Sequence, residues 1–92
     1  MKTEKPLRLI ELLQQLLAET DKMNVGKIYI AIIEEMKKTT FAEGQNHPYS
    51  NVVYKHLIQL SIKDFIHAGR SEASSNVVND VIEVLSDSEI VL

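Results

Sequence analysis

The chain has 92 residues, no cysteine and a formal charge of −3, with 45% hydrophobic and 25% charged residues. These values predict one globular domain over 1–92, lie far from the composition of disordered chains, and exclude a disulfide framework and a cysteine-ligated metal. The acidic balance provides no basic stripe to meet phosphates, which excludes a dedicated nucleic-acid binder.

Pro6 suits the first turn of a helix, and Glu4 places negative charge where the helix dipole favours it. Leu9, Ile10, Leu12, Leu13, Leu16 and Leu17 then fall within an arc of roughly 160° at helical spacing. The spacing predicts a first helix over 5–19, which Thr20-Asp21-Lys22 interrupts. The longest apolar run, Ile28 to Ile33, is six residues, against the ~20 needed to span a bilayer. Glu4, Glu11, Gln14 and Gln15 break up any signal-like core near the start. The expected location is therefore the cytoplasm, with at most peripheral membrane contact.

Asn24 is the expected N-cap of a second helix over 24–38, with Val25, Ile28, Tyr29, Ile32, Ile33 and Met36 as its apolar stripe. Ile30 lies off that stripe, and Gly26 weakens the helix by up to ~1 kcal/mol relative to alanine. Residues 27–33 are rich in β-branched side chains, but Glu34-Glu35-Met36-Lys37-Lys38 continues the helical period with strong helix formers. Thr39 to Pro48 carries turn residues and no periodicity, and reads as the longest loop.

Ser50 caps a third helix over 50–68, and Gly69 is a plausible stop for it. Its apolar set is Val53, Tyr54, Leu57, Ile58, Leu60, Ile62, Phe65 and Ile66. That set sweeps roughly 200°, so this helix is expected to be the most buried. A fourth helix over 72–86 carries Val77, Val78, Val81, Ile82, Val84 and Leu85 on one face. Its valines are poor helix formers, so packing must hold it. In isolation this segment could be a strand, but its spacing is helical and it has no second clear strand to pair with; residues 89–92 form a short apolar tail. Four amphipathic helices in this length predict an all-α antiparallel up-down four-helix bundle.

Little in the chain suggests chemistry. His56 and His67 are eleven residues apart, roughly 16 Å along a helix, and cannot share a metal ion; both read as solvated residues of the polar face. Asp64 and His67 have the spacing of one carboxylate–histidine pair, but di-metal bundles need that pair twice. Asp64 projects towards the apolar arc between Leu57, Leu60 and Ala68, where a carboxylate requires a partner such as Arg70 or Lys22. A small all-helical mutase acting on a dianion would need several arginines and lysines, and Arg8 and Arg70 are the only arginines. No catalytic, cofactor-binding or metal-binding residue is expected.

Leu7-Arg8-Leu9-Ile10-Glu11-Leu12-Leu13 opens the first helix. Tyr49-Ser50-Asn51-Val52-Val53-Tyr54-Lys55-His56-Leu57, continuing through Ile62-Lys63-Asp64-Phe65, forms the third. After a short polar turn comes Val81-Ile82-Glu83-Val84-Leu85-Ser86. In this order and spacing the chain resembles the bacteriocin immunity proteins of the enterocin A and pediocin type over nearly its whole length. The resemblance implies a cytosolic four-helix bundle without catalytic residues. Such proteins protect a producing cell by recognising, from the cytoplasm, a pore-forming peptide in complex with its receptor, a sugar phosphotransferase permease. It also implies recognition through the C-terminal half: His67, Arg70, Ser71 and Glu72 at the turn between the last two helices, and Ser86, Asp87, Ile90 and Leu92 beyond. The alternative is a helical protein–protein adaptor or regulatory subunit, for which Ile30 and Ile90 to Leu92 would suit a homodimer or a partner groove.

Overall fold

The computed structural model describes residues 2–43 and 49–92. The protein is mostly helical, with four helices and a small antiparallel strand pair: β1 (Thr3–Glu4), α1 (Leu7–Ala18), α2 (Lys22–Lys38), α3 (Asn51–His67), α4 (Glu72–Ser86) and β2 (Ile90–Val91). Among the described residues no helix is long and apolar enough to cross a membrane.

The helix ends follow local chemistry. Ser50 and Ser71 cap α3 and α4, their hydroxyls accepting from the Val53 and Ser74 amides. At the start of α2 the cap is Asp21, whose carboxylate accepts from the Met23 amide, and Asn24 lies inside the helix. Both residue types cap well, and the acid three residues earlier takes the role because the turn Lys22-Met23-Asn24 is itself helical. Pro6 stands just outside α1 in the N-cap position, not in its first turn, and Glu4 belongs to β1.

Leu9, Leu12, Leu13 and Leu16 of α1 are buried against Ile32 and Met36 of α2, Tyr54, Ile58, Ile62 and Phe65 of α3, and Val78 and Leu85 of α4. The third helix is less buried than its wide apolar arc suggested. Leu60 is 52% exposed, Val53 and Ile66 also reach solvent, and Ser61 is buried in their place. Ser61 tolerates this because its hydroxyl donates to the Ile58 carbonyl at 2.8 Å, which satisfies the buried group. Asp64 is exposed as well, and among the described residues it forms no ion pair with Arg70 or Lys22. His56 and His67 are solvated, as expected of a polar face.

The strand pair departs from the all-helical expectation. Residues Thr3 and Glu4 pair with Val91 and Ile90. On the other side of β2, the Val91 amide donates to the Thr40 carbonyl at 2.8 Å and the Ala42 amide to the Glu89 carbonyl at 2.9 Å. Successive amides of a strand point opposite ways, so β2 lies between β1 and the segment that follows α2. Ile90 and Val91 are accordingly half-buried and only Leu92 stays exposed. The start of the expected 39–48 loop is therefore ordered, with Phe41 in the core at 1% exposure. Gly44, Asn46 and Pro48, which marked that loop, and His47 lie outside the described residues.

Candidate binding groove between α2 and α3

The residues that face one another across α2 and α3 follow from helical spacing. Lys22, Val25, Gly26 and Tyr29 recur at i, i+3, i+4 and i+7 on one face of α2, and Lys63, Ile66 and His67 share a face of α3. These two faces, with Thr20, Phe65, Gly69 and Arg70, line a groove of about 740 Å³ that is open to solvent on one side. Two smaller cavities, of about 250 and 230 Å³, lie beside the start of α1 and between α3 and α4.

Gly26 helps to keep the groove open. A β-carbon at this position would meet nothing within 4 Å, so alanine would fit. Glycine inside a helix costs about 1 kcal/mol relative to alanine, and here that cost leaves empty space on the groove wall.

Arg70 closes the opposite corner. Gly69 and Arg70 both have left-handed backbones, at φ 74° and 61°, and the Arg70 amide donates to the Phe65 carbonyl at 3.3 Å. This is the six-residue bond that ends a helix in a Schellman turn, where glycine avoids the steric penalty of a side chain. The same turn brings the Arg70 guanidinium 5.4 Å from the centre of the Phe65 ring, a cation–π distance. One of its nitrogens, Nη2, donates to the Leu17 carbonyl at 2.6 Å. That carbonyl lies in the last turn of α1, at the negative end of the helix dipole.

The groove has a mostly apolar wall with a cationic rim. Lys22 stands on the α2 side and Lys63 and Arg70 on the α3 side, with His67 near them, and none of the described lining residues is acidic. This local excess of positive charge lies on a chain of net charge −3. Glu19, on the connection between α1 and α2, is held below the ordinary carboxylate value of 4.5, chiefly by the Asp21 amide and then by the Thr20 amide, the Asn24 side chain and Arg70. Its Oε1 accepts from both of those amides at 3.0 Å, so its charge is engaged in shaping the turn.

The residues that the resemblance singled out divide into two groups. His67 and Arg70 line the groove. Ser71 beside them is the N-cap of α4, and Glu72 is its first residue, where a negative charge meets the helix dipole favourably. Ser86 ends α4 with its hydroxyl donating to the Ile82 carbonyl at 2.8 Å, and Asp87 is the C-cap. A helix of 15 residues separates these groups by roughly 21 Å. Ile90 is half-buried in β2, and the Leu92 amide donates to the Lys2 carbonyl at 3.0 Å. The eight residues therefore do not form one surface.

Lys22, Gly26, Tyr29, Lys63 and Ile66 were not among the candidates read from the sequence. Gly26 was the available signal, since it is a glycine one helical turn from both Lys22 and Tyr29. Among the described residues no three histidine or carboxylate side chains cluster as metal ligands do. An apolar trough with cations on both rims can hold an amphipathic anionic ligand by burial and charge. Comparison of the chain with known protein families, with curated proteins and with solved structures finds no match.

Proposed function

We propose that the protein works by binding, as a cytoplasmic immunity protein that protects its cell from a pore-forming bacteriocin. It engages the complex of that peptide with its membrane receptor, and the groove between α2 and α3 is the contact surface. The groove is the observation that carries this reading, because His67 and Arg70 on its wall belong to the turn that the resemblance marks for recognition. The scaffold we infer is an antiparallel up-down four-helix bundle. Residues near 2–4, 40–42 and 88–92 bond to one another at one end, and Leu17 meets Arg70 at the other. The three-residue connection between α1 and α2 leaves room only for antiparallel neighbours.

The test is a protection assay in a bacteriocin-sensitive strain expressing this chain, challenged with a panel of pediocin-like peptides. A large rise in inhibitory dose for one subset, lost with Gly26→Leu, is the expected result. Absence of protection against every peptide, with the protein folded and abundant, would sink the immunity reading. The adaptor reading would then take its place, favoured by Met23 and Ile30, which are 70% and 57% exposed on α2.

A further inference from the structure

We propose that the groove between α2 and α3 takes a single helical segment of a protein partner, about two turns long, apolar on the stripe that enters the groove and acidic on both flanks. The proposal rests on the reading of this chain as a binding protein and names the chemistry of its partner.

The dimensions set the length. On the α2 wall Lys22 to Tyr29 advances seven residues, roughly 10 Å of helix, and on the facing wall the helical stretch from Lys63 to His67 is closed off by the turn at Gly69 and Arg70. Two turns of a guest helix match that, presenting apolar side chains at i, i+3 or i+4, and i+7. The open side of the groove suits a guest that keeps its polar face in water. A small organic ligand is normally enclosed over most of its surface. Phe65 is buried and Val25 half-buried, so a flat bilayer surface laid over the opening would not reach them.

Apolar surface continues past the rim. Met23 and Ile30 stand exposed seven residues apart on α2 with Gly26 between them, so the ridge next to the groove is greasy and low. A guest helix lying in the groove would cover Ile66, 37% exposed on α3, from the other side.

Charge decides the flanks. Cations stand on both walls, Lys22 on one and Lys63 and Arg70 on the other, with no acid among the described lining residues. Carboxylates flanking the apolar stripe would meet a cation on either side. Lysines in the same places would meet like charge, which suppresses a wrong partner more strongly than it changes the affinity of the right one.

The experiment titrates the full isotope-labelled chain with three short helical peptides: a leucine stripe flanked by glutamates, the same stripe flanked by lysines, and the glutamate peptide with its stripe scrambled. The expected result is saturable amide shifts confined to residues 22–29 and 63–70 with the glutamate-flanked peptide. The lysine-flanked peptide, which loses charge complementarity, and the scrambled one, which loses the apolar stripe to bury, should each bind at least about tenfold more weakly. Gly26→Leu should melt no lower than the parent and bind no peptide, and Lys22→Glu with Lys63→Glu should shift preference to the lysine-flanked peptide. Equal binding of all three peptides, shifts elsewhere, undiminished binding by Gly26→Leu, or adsorption to anionic phospholipid vesicles in place of the peptide would each overturn it. If no peptide binds but Gly26→Leu abolishes bacteriocin protection, this partner is wrong and the immunity reading stands. If the glutamate-flanked peptide binds and no bacteriocin is resisted, the partner chemistry stands and the immunity reading is lost.

Discussion

The phenol oxygen of Tyr54, in the second turn of α3, lies 2.9 Å from the hydroxyl of Ser88, just beyond α4. Ser88 is also 2.7 Å from the Val84 carbonyl. A carbonyl can only accept, so the one hydroxyl proton of Ser88 goes there and the phenol donates its own proton to Ser88. The Tyr54 ring is stacked on Phe41 at 4.5 Å and meets Tyr49 edge-on at 5.5 Å. One side chain thus joins α3 to the residues that follow α2 and α4, at the end of the molecule where β2 is held.

Removing either hydroxyl should therefore have unequal effects. Ser88→Ala leaves the buried phenol without its acceptor and should cost about 1–3 kcal/mol, whereas Tyr54→Phe removes the donor and should cost about 1 kcal/mol. Thermal melts of both variants check this, at about 4–8 °C per kcal/mol for a domain of this size. Equal melting temperatures would contradict the assigned donor.

Phe41→Ala should be among the most damaging single substitutions. The ring is 1% exposed and stacked on Tyr54, and truncating a buried phenylalanine costs about 3–5 kcal/mol. In addition, Phe41 pairs with Ile90 through a backbone bridge, so β2 should loosen. Faster hydrogen exchange at the Val91 and Ala42 amides, with the α1 amides protected, is the expected signature in any variant that remains folded.

The two described glycines should respond to alanine with opposite signs. At Gly26 the new methyl meets open space and helix propensity improves, so stability should rise by about 1 kcal/mol. At Gly69, with φ 74°, alanine would be strained and stability should fall by about 1 kcal/mol. Urea titration of both variants measures the difference, and a loss of stability in Gly26→Ala would mean that the groove is closed in solution.

Glu19 should contribute to acid sensitivity. Its folded pKa is depressed below 4.5, first by the Asp21 amide and with help from Arg70. A depressed carboxylate stabilises the fold above its unfolded pKa and loses that contribution as pH falls through the folded value. Glu19→Gln should therefore melt below the parent at neutral pH, and the gap should close as the pH falls beneath 4.5. A gap independent of pH would show that the charge of Glu19 is not what supports the turn.

Much of the helical order was legible because helix formation depends on neighbours within four residues. The spacing Val77-Val78-Val81-Ile82-Leu85 placed α4 at 72–86, the bounds observed. Ser50 likewise marked the start of α3, and His56 and His67 were read as solvated. The start of α2 was misplaced because Asp21 and Asn24 are both good caps and local sequence does not choose between them. What the helices face depends on residues far apart in the chain, and there the reading failed. Leu60, expected inside, faces solvent and Ser61 is buried because the packing of α3 against α2 and α4, and not its own apolar arc, decides which side is covered. Phe41 and Ile90 looked like loop and tail because a strand is visible only when its partner is, and their partners lie at a distance that periodicity cannot register. The groove has the same origin. Sequence alone determined that Gly26 weakens a helix and that Lys22 and Lys63 carry charge; only the tertiary structure set them across one trough, because burial and charge pairing act between surfaces that the folded chain brings together.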